Sequence, residues 1–142
     1  MRRYLIIGSG GTLGALARYG LGNFFKIGVG GFPEGTFIIN LTGSFILGLF
    51  LTLITEHFVI PTEWRLFFAT GFVGAYTTFS SFTNEVLTLY RQGYVATGLL
   101  YSITSLVGGT LFVWLGLIVA HQIIFLRTNQ TEQEAKQGWK ET

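Results

Sequence analysis

The fold class this sequence predicts is an all-α membrane protein: four transmembrane helices, the third broken near its centre. Three observations carry that reading. Of 142 residues, 49% are hydrophobic and only 11% charged, whereas soluble domains carry about a quarter charged residues; mean hydropathy is +0.52. The apolar residues gather into four segments with short connections between them. Inside the third segment, residues 71–82 read GFVGAYTTFSSF, a cluster of glycines, hydroxyls and rings where a lipid-facing helix needs only Leu, Ile and Val. Irregular backbone is tolerated at membrane depth only where protein buries it or where it lines a wet cavity. Residues 71–82 are therefore the candidate functional site, and their chemistry suits ions or small solutes rather than bond-making.

The first segment covers residues 4–25. Met1, Arg2 and Arg3 before it mimic the charged start of a signal peptide. Arg18 and Tyr19, however, stand where a small-residue cleavage site is needed, and further spans follow, so it reads as a retained span. The second segment, residues 36–55, has the roughly 20 residues that one crossing requires. The third, residues 64–90, fits only loosely because its glycine and threonine centre disfavours a regular helix. The fourth, residues 94–126, is too long for a straight crossing and must tilt or project. Connections are short: residues 26–35 are glycine-rich with Pro33, residues 56–63 carry Pro61, and residues 91–93 make a turn. Residues 1–126 thus form one membrane domain. Residues 127–142, with Glu132, Glu134, Lys136, Lys140 and Glu141, form a polar, solvated C-terminal tail with no assigned role.

Four spans place both termini on one side. Arg2, Arg3, Arg65 and Arg127 lie on that side, and Arg18, Lys26 and Arg91 nearer the other. A bias this weak permits insertion in both orientations; counting the tail lysines favours the N-terminus inside. The net charge of +2 comes from scattered basic residues, so nucleic acid is not an expected partner. The absence of cysteine excludes disulfides and thiolate chemistry. No nucleophile–base pair, carboxylate pair, metal-ligand spacing or phosphate loop is present, so no enzyme is expected. His57 and His121 stand alone at segment ends and read as interfacial. Gly10 with Gly14, Ser44 with Gly48, and Ser105 with Gly109 have the small-xxx-small spacing that lets helices approach closely in lipid. Four short spans barely enclose a pathway, which points to a partner, most simply a second copy.

Three stretches stand together: Gly11 to Tyr19 (GTLGALARY), Gly35 to Phe45 (GTFIINLTGSF) and Gly71 to Phe82. In order and spacing they resemble the Fluc (CrcB-type) fluoride channels, whose patterns run approximately GGxxGAxxRY, GTxxxNxxGSF and GxxGxxTTFSxF. The match covers residues 8–115. The resemblance implies an antiparallel, dual-topology homodimer with two fluoride pores and a central structural sodium ion, Na+.

The resemblance also distributes roles. Asn40 by itself fits interhelical glue, worth roughly 0.6–2 kcal/mol; the resemblance gives its amide to a dehydrated anion as donor. Phe79 and Phe82 lie three apart, on one helical face, beside Thr78, Ser80, Ser81 and Thr83. An aromatic edge is electropositive and favours an anion without a fixed charge that would trap it. Thr78 and Ser81 join the anion pathway by the same resemblance. Gly74 and Thr77 bracket the break, and there the resemblance implies backbone-carbonyl ligands for sodium. Tyr101 and Ser105, four apart, offer a line of hydroxyls, although the next turn carries Gly109 where the family often has a third hydroxyl. Arg18 and Glu85 fit either ordinary interface charges or a vestibule that modulates ion entry.

The expected function is passive fluoride export through the prokaryotic plasma (inner) membrane by a multi-pass channel, with a second copy, fluoride and the lipid bilayer as partners. The rival is a small four-span coupled transporter, a fluoride/proton or multidrug antiporter. That mechanism wants a membrane-embedded carboxylate, and Glu56, Glu63 and Glu85 fall at or near segment ends. A non-conducting accessory subunit leaves the hydroxyl and ring cluster unexplained.

Overall fold

The structure, a computed structural model, describes residues 1–25 and 30–138. Lys26, Lys140 and Glu141 of the charge balance lie outside the described residues. Within them the chain is helical, with no strand.

Helix α1 (Arg2–Gly22) holds six glycines and three arginines in 21 residues. Helix α2 (Glu34–Glu56) begins directly after Pro33, whose carbonyl accepts the Phe37 N–H at 3.1 Å. Proline suits that entry because its fixed φ and missing N–H do not interfere there, and Glu34 complements the N-terminal dipole. Helix α3 (Thr62–Arg65) starts the same way after Pro61. It continues as a π-helical stretch, Leu66–Val73, and then as α4 (Gly74–Tyr76). Helical backbone angles at each junction make these one uninterrupted rod. The rod stops at Thr77 (ψ 156°) and Thr78 (φ −147°, ψ 116°), both extended.

Helix α5 (Phe79–Arg91) restarts the span. Thr78 caps it by accepting the Ser81 N–H on Oγ1 at 3.1 Å, a preferred N-cap arrangement. Its end is closed by a left-handed glycine, Gly93 at φ +85°. The Gly93 N–H reaches the Tyr90 carbonyl, and the Tyr94 N–H reaches Leu89, which satisfies carbonyls the helix end would orphan. Helix α6 (Val95–Gly138) then runs 44 residues without interruption. The segment expected to end at residue 126 thus stays helical through Gly138; its polar residues are compatible with a helix, since Glu, Gln, Lys and Ala are good helix formers.

Packing is backbone-to-backbone at two seams. A Cβ at Gly10 would collide with the Phe67 carbonyl, and one at Gly14 with the Phe72 carbonyl. The predicted small-residue pair in the first span therefore seats α1 on the π-helical stretch. Between α2 and α6, a Cβ at Gly48 would lie 2.6 Å from the Val113 oxygen, and one at Gly116 would meet the Phe45 carbonyl. Close approach of this kind drives association where lipid removes the hydrophobic term. Few apolar side chains are buried, chiefly Ile39, Val73, Tyr76, Leu89, Tyr101 and Ala120, while apolar residues of α1 and α6 face outward.

Among the described residues, two helical stretches are long and apolar enough to cross a membrane unaided: Glu34–Glu56 and Val95–Gln130. The first segment is diluted by its glycines and arginines, and the third is cut in two at Thr77 and Thr78.

Candidate ion site at the helix break

The site is built where α2 meets the interruption. In a continuous helix the Thr78 N–H would return to the Gly74 carbonyl. Here it donates to Asn40 Oδ1 at 2.8 Å, and Asn40 Nδ2 donates to the Thr78 carbonyl at 3.0 Å. One amide side chain thus replaces the backbone partners that the break removes, as buried peptide groups require. Thr77 closes the preceding turn with both its N–H and its hydroxyl on the Val73 carbonyl, each at 3.0 Å. A Cβ at Gly43 of α2 would collide with the Thr77 methyl, so only glycine leaves room for that residue.

A cavity of about 330 Å³ opens beside the break. Seven of the candidate site residues line it: Asn40, Gly74, Thr77, Thr78, Phe79, Phe82 and Ser105. No charged side chain is among the lining residues. The Phe79 and Phe82 rings lie 5.8 Å apart at 39°, and Phe82 also meets Tyr101 edge-on at 5.1 Å. Ser105 Oγ is buried and has no hydrogen-bond partner among the described residues, an arrangement that ordinarily calls for a ligand or water. Asn40 Nδ2 carries a second proton beyond the one given to Thr78.

Four predicted residues do not line this cavity. Ser81 belongs to the α5 cap, where its hydroxyl accepts from Thr78 Oγ1 at 3.0 Å. Tyr101, fully buried, donates to Glu85 Oε2 at 2.8 Å. The shared face with Ser105 holds by helix geometry, but the two hydroxyls serve different neighbours. Glu85 also accepts from Thr36 Oγ1 at 2.7 Å, which makes it the centre of an internal cluster rather than a free interface charge. Arg18 is half-buried on α1 and makes no ion pair among the described residues. Sequence reasoning gave no role to Thr36 or Gly43, although both sit inside the second motif stretch; a bare hydroxyl or glycine does not reveal its partner 49 or 34 positions away.

The residues that could hold a hard cation are Gly74 and Thr77, through backbone oxygen. The Gly74 carbonyl has lost its helical donor, both Gly74 and Thr77 face the cavity, and hard cations take oxygen ligands. No group of three His, Cys, Asp or Glu side chains that could hold another kind of metal occurs among the described residues.

Fold and site together define an all-α membrane protein with an uncharged cavity, lined by rings and hydroxyls, at a break in a helix. The chain belongs to the CrcB-like family: the family model described as "CrcB-like protein, Camphor Resistance (CrcB)" matches residues 5–117. Among its relatives, the Fluoride-specific ion channel FluC of Acidobacterium capsulatum is 47% identical over 123 residues, 86% of this chain and 98% of that one. A protein of the same name from Thermus thermophilus is 45% identical over 117 residues, 82% of this chain and 91% of its own. Fluoride-specific ion channel FluC 2 of Moorella thermoacetica is 44% identical over 118 residues, covering 82% and 95%.

Proposed function

We propose that this chain is a fluoride-selective channel of a prokaryotic plasma membrane, and not an enzyme. It lets accumulated fluoride leave passively and so lowers cytoplasmic fluoride. The observation that carries the reading is the cavity itself: ring edges, a buried unpartnered serine hydroxyl and a spare amide proton meet where no fixed charge stands. Fluoride is small and strongly hydrated, so a path must replace its water with good donors yet hold it weakly enough for release. The names of the relatives point to the same ion.

The working form in this reading is a multi-pass, antiparallel, dual-topology homodimer with two pores. Phe79, a pathway residue, is 77% exposed in the single chain, so a second copy is needed to enclose the path. The weak charge bias across the four spans suits insertion in both orientations. The carbonyls of Gly74 and Thr77 from both copies would hold the central Na+, whose charge offsets that of anions passing nearby.

The test is fluoride efflux from liposomes holding the purified protein, followed with an electrode. Efflux should be rapid for fluoride and far slower for chloride; equal rates, or none, would remove the proposal. The second reading is a fluoride/proton antiporter, and Glu85, a half-buried carboxylate with two hydroxyl partners, is what favours it. A channel's efflux follows the fluoride gradient and voltage. An antiporter's is driven by an imposed pH gradient alone.

A further inference from the structure

Three successive residues at the break each meet a residue of one short stretch of α2. Thr78 pairs with Asn40, Thr77 packs over Gly43, and the Tyr76 hydroxyl lies 2.9 Å from Thr42 Oγ1. The first two belong to the site described above. In the third, neither Tyr76 nor Thr42 lines the cavity, although the Tyr76 ring lies beside Gly43.

Proton accounting fixes the direction of this contact. Thr42 Oγ1 lies 2.7 Å from the Ile38 carbonyl and 3.1 Å from that of Ile39. A hydroxyl has one proton and two acceptor lone pairs, and the carbonyls take the proton. Tyr76 therefore donates to Thr42, and Thr42 passes its own proton to the α2 backbone. Such a chain strengthens each of its members.

The ring and the hydroxyl of Tyr76 are held separately. The ring stacks on Phe72 at 6.0 Å and 8°, Phe72 stacks on Phe68 at 5.6 Å and 13°, and Phe68 meets Phe50 at 4.5 Å. Phe68, Phe72 and Tyr76 line one face of the rod itself, four residues apart, and only the Phe50–Phe68 contact ties this column to α2. That contact lies about two helical turns before Tyr76 and does not reach the end of the rod. The hydrogen bond at the tip of Tyr76 supplies an axial stop there, one residue before the backbone leaves the helix.

We propose that the Tyr76 hydroxyl, donated to Thr42, is a positioning contact that sets the register of the break. With Asn40 gripping Thr78 on the far side, Thr77 is held between two posts on α2. The orientation of the Gly74 and Thr77 carbonyls then depends on a hydroxyl that ligates nothing. This extends the sodium reading given above and rests on it for its consequence, but the positioning itself is testable without sodium.

The test uses Tyr76→Phe, which keeps the ring column, together with Thr42→Val, Thr42→Ser and the double variant Tyr76→Phe/Thr42→Val, all in nanodiscs. Three quantities are read: amide exchange in peptides spanning residues 74–79, fluoride efflux after transfer to liposomes, and the sodium concentration giving half-maximal thermal stabilisation. For Tyr76→Phe, exchange should quicken and the sodium midpoint rise by roughly two- to tenfold, the range one hydrogen bond of ordinary net strength spans. Efflux should fall while the oligomer persists. Thr42→Val should be worse, because it strands a buried tyrosine hydroxyl, and the double variant should return to the Tyr76→Phe level. Thr42→Ser should behave like the parent. Thr88→Val, which removes a hydroxyl bonded only within α5, is the control and should change nothing.

Unchanged exchange and efflux in both Tyr76→Phe and Thr42→Val would overturn the proposal, as would a double variant whose losses simply add. If the parent shows no sodium dependence at all, the cation reading falls. The exchange and efflux results then decide on the tyrosine–threonine pair by themselves.

Discussion

Asn40 and Thr78 form a closed pair: the asparagine oxygen takes the threonine N–H at 2.8 Å, and its nitrogen serves the threonine carbonyl at 3.0 Å. A side chain on α2 thereby does what a neighbouring backbone would otherwise do. The helix can stop inside the protein without orphaning either group.

Asn40→Ala should consequently lower both stability and fluoride flux. It leaves two peptide groups without partners, at about 1–3 kcal/mol for such a loss. Asn40→Asp should be worse on both counts, since a carboxylate oxygen would then oppose the Thr78 carbonyl and place negative charge beside the anion path. Thermal unfolding in detergent and electrode-monitored efflux measure the two effects. Parent-level flux in both variants would leave Asn40 a purely structural residue.

The two phenylalanines should separate in their stability effects. Phe79→Ile changes a ring that is largely exposed in the single chain, so the fold should hold while flux falls sharply. Phe82→Ile also removes the edge contact with buried Tyr101, costing a further ~1 kcal/mol of stability. Size-exclusion profiles beside efflux rates distinguish packing loss from loss of an electropositive edge.

Glu85 gathers hydroxyls from Thr36 and Tyr101, joining α5 to α2 and α6. Glu85→Gln keeps one acceptor oxygen and lets one hydroxyl turn round to accept, so stability should fall by only about 1 kcal/mol. Glu85→Ala strands the fully buried Tyr101 hydroxyl and should cost more. Melting temperatures of the two variants, compared with Tyr101→Phe/Glu85→Ala, check the assignment: the double variant should recover part of the loss.

Gly74 sits in ordinary helical backbone, φ −62° and ψ −33°, and an added Cβ would find only the Ala69 oxygen at 3.7 Å. Neither conformation nor contact within the chain demands glycine there. Gly74→Ala should therefore fold as well as the parent. If Gly74 faces a second copy across a shared ion, the same change should weaken the dimer and its sodium dependence, read by cross-linking and by melting with and without sodium. Thr77→Ser should retain both, because the threonine hydroxyl is already committed to Val73.

Much of this architecture is legible in the chain. Hydropathy marks the four apolar segments, the prolines mark the starts of α2 and α3, and Gly93 marks the end of α5. The glycine pair at positions 10 and 14 announces a close seam, though not what it meets. The cavity's composition is likewise readable, since seven of the candidate site residues converge on it. Pairing is not. Tyr101 and Ser105 share a helical face, yet Glu85 claims the tyrosine from a different helix, and periodicity carries no information about a partner 16 residues back. The π-helical stretch is also invisible: LFFATGFV has no residue that demands a wider turn, and its backbone packs on the glycine seam of α1. The helical continuation of the polar C-terminal residues escapes a reading by hydropathy, because low hydropathy is not lack of order and helix propensity is a separate property.

The length of α6 has a mechanical consequence. At 1.5 Å per residue its 44 residues measure roughly 66 Å, about twice the hydrocarbon thickness of a bilayer. In a bilayer the excess would project as a stiff mast continuous with the α2–α6 seam. A torque or lateral push on that mast is levered straight onto the helix that carries Ser105 and Tyr101. A bulky domain or antibody fragment attached near Glu132 would thus report, through a change in fluoride conductance, how rigidly the ion site is held.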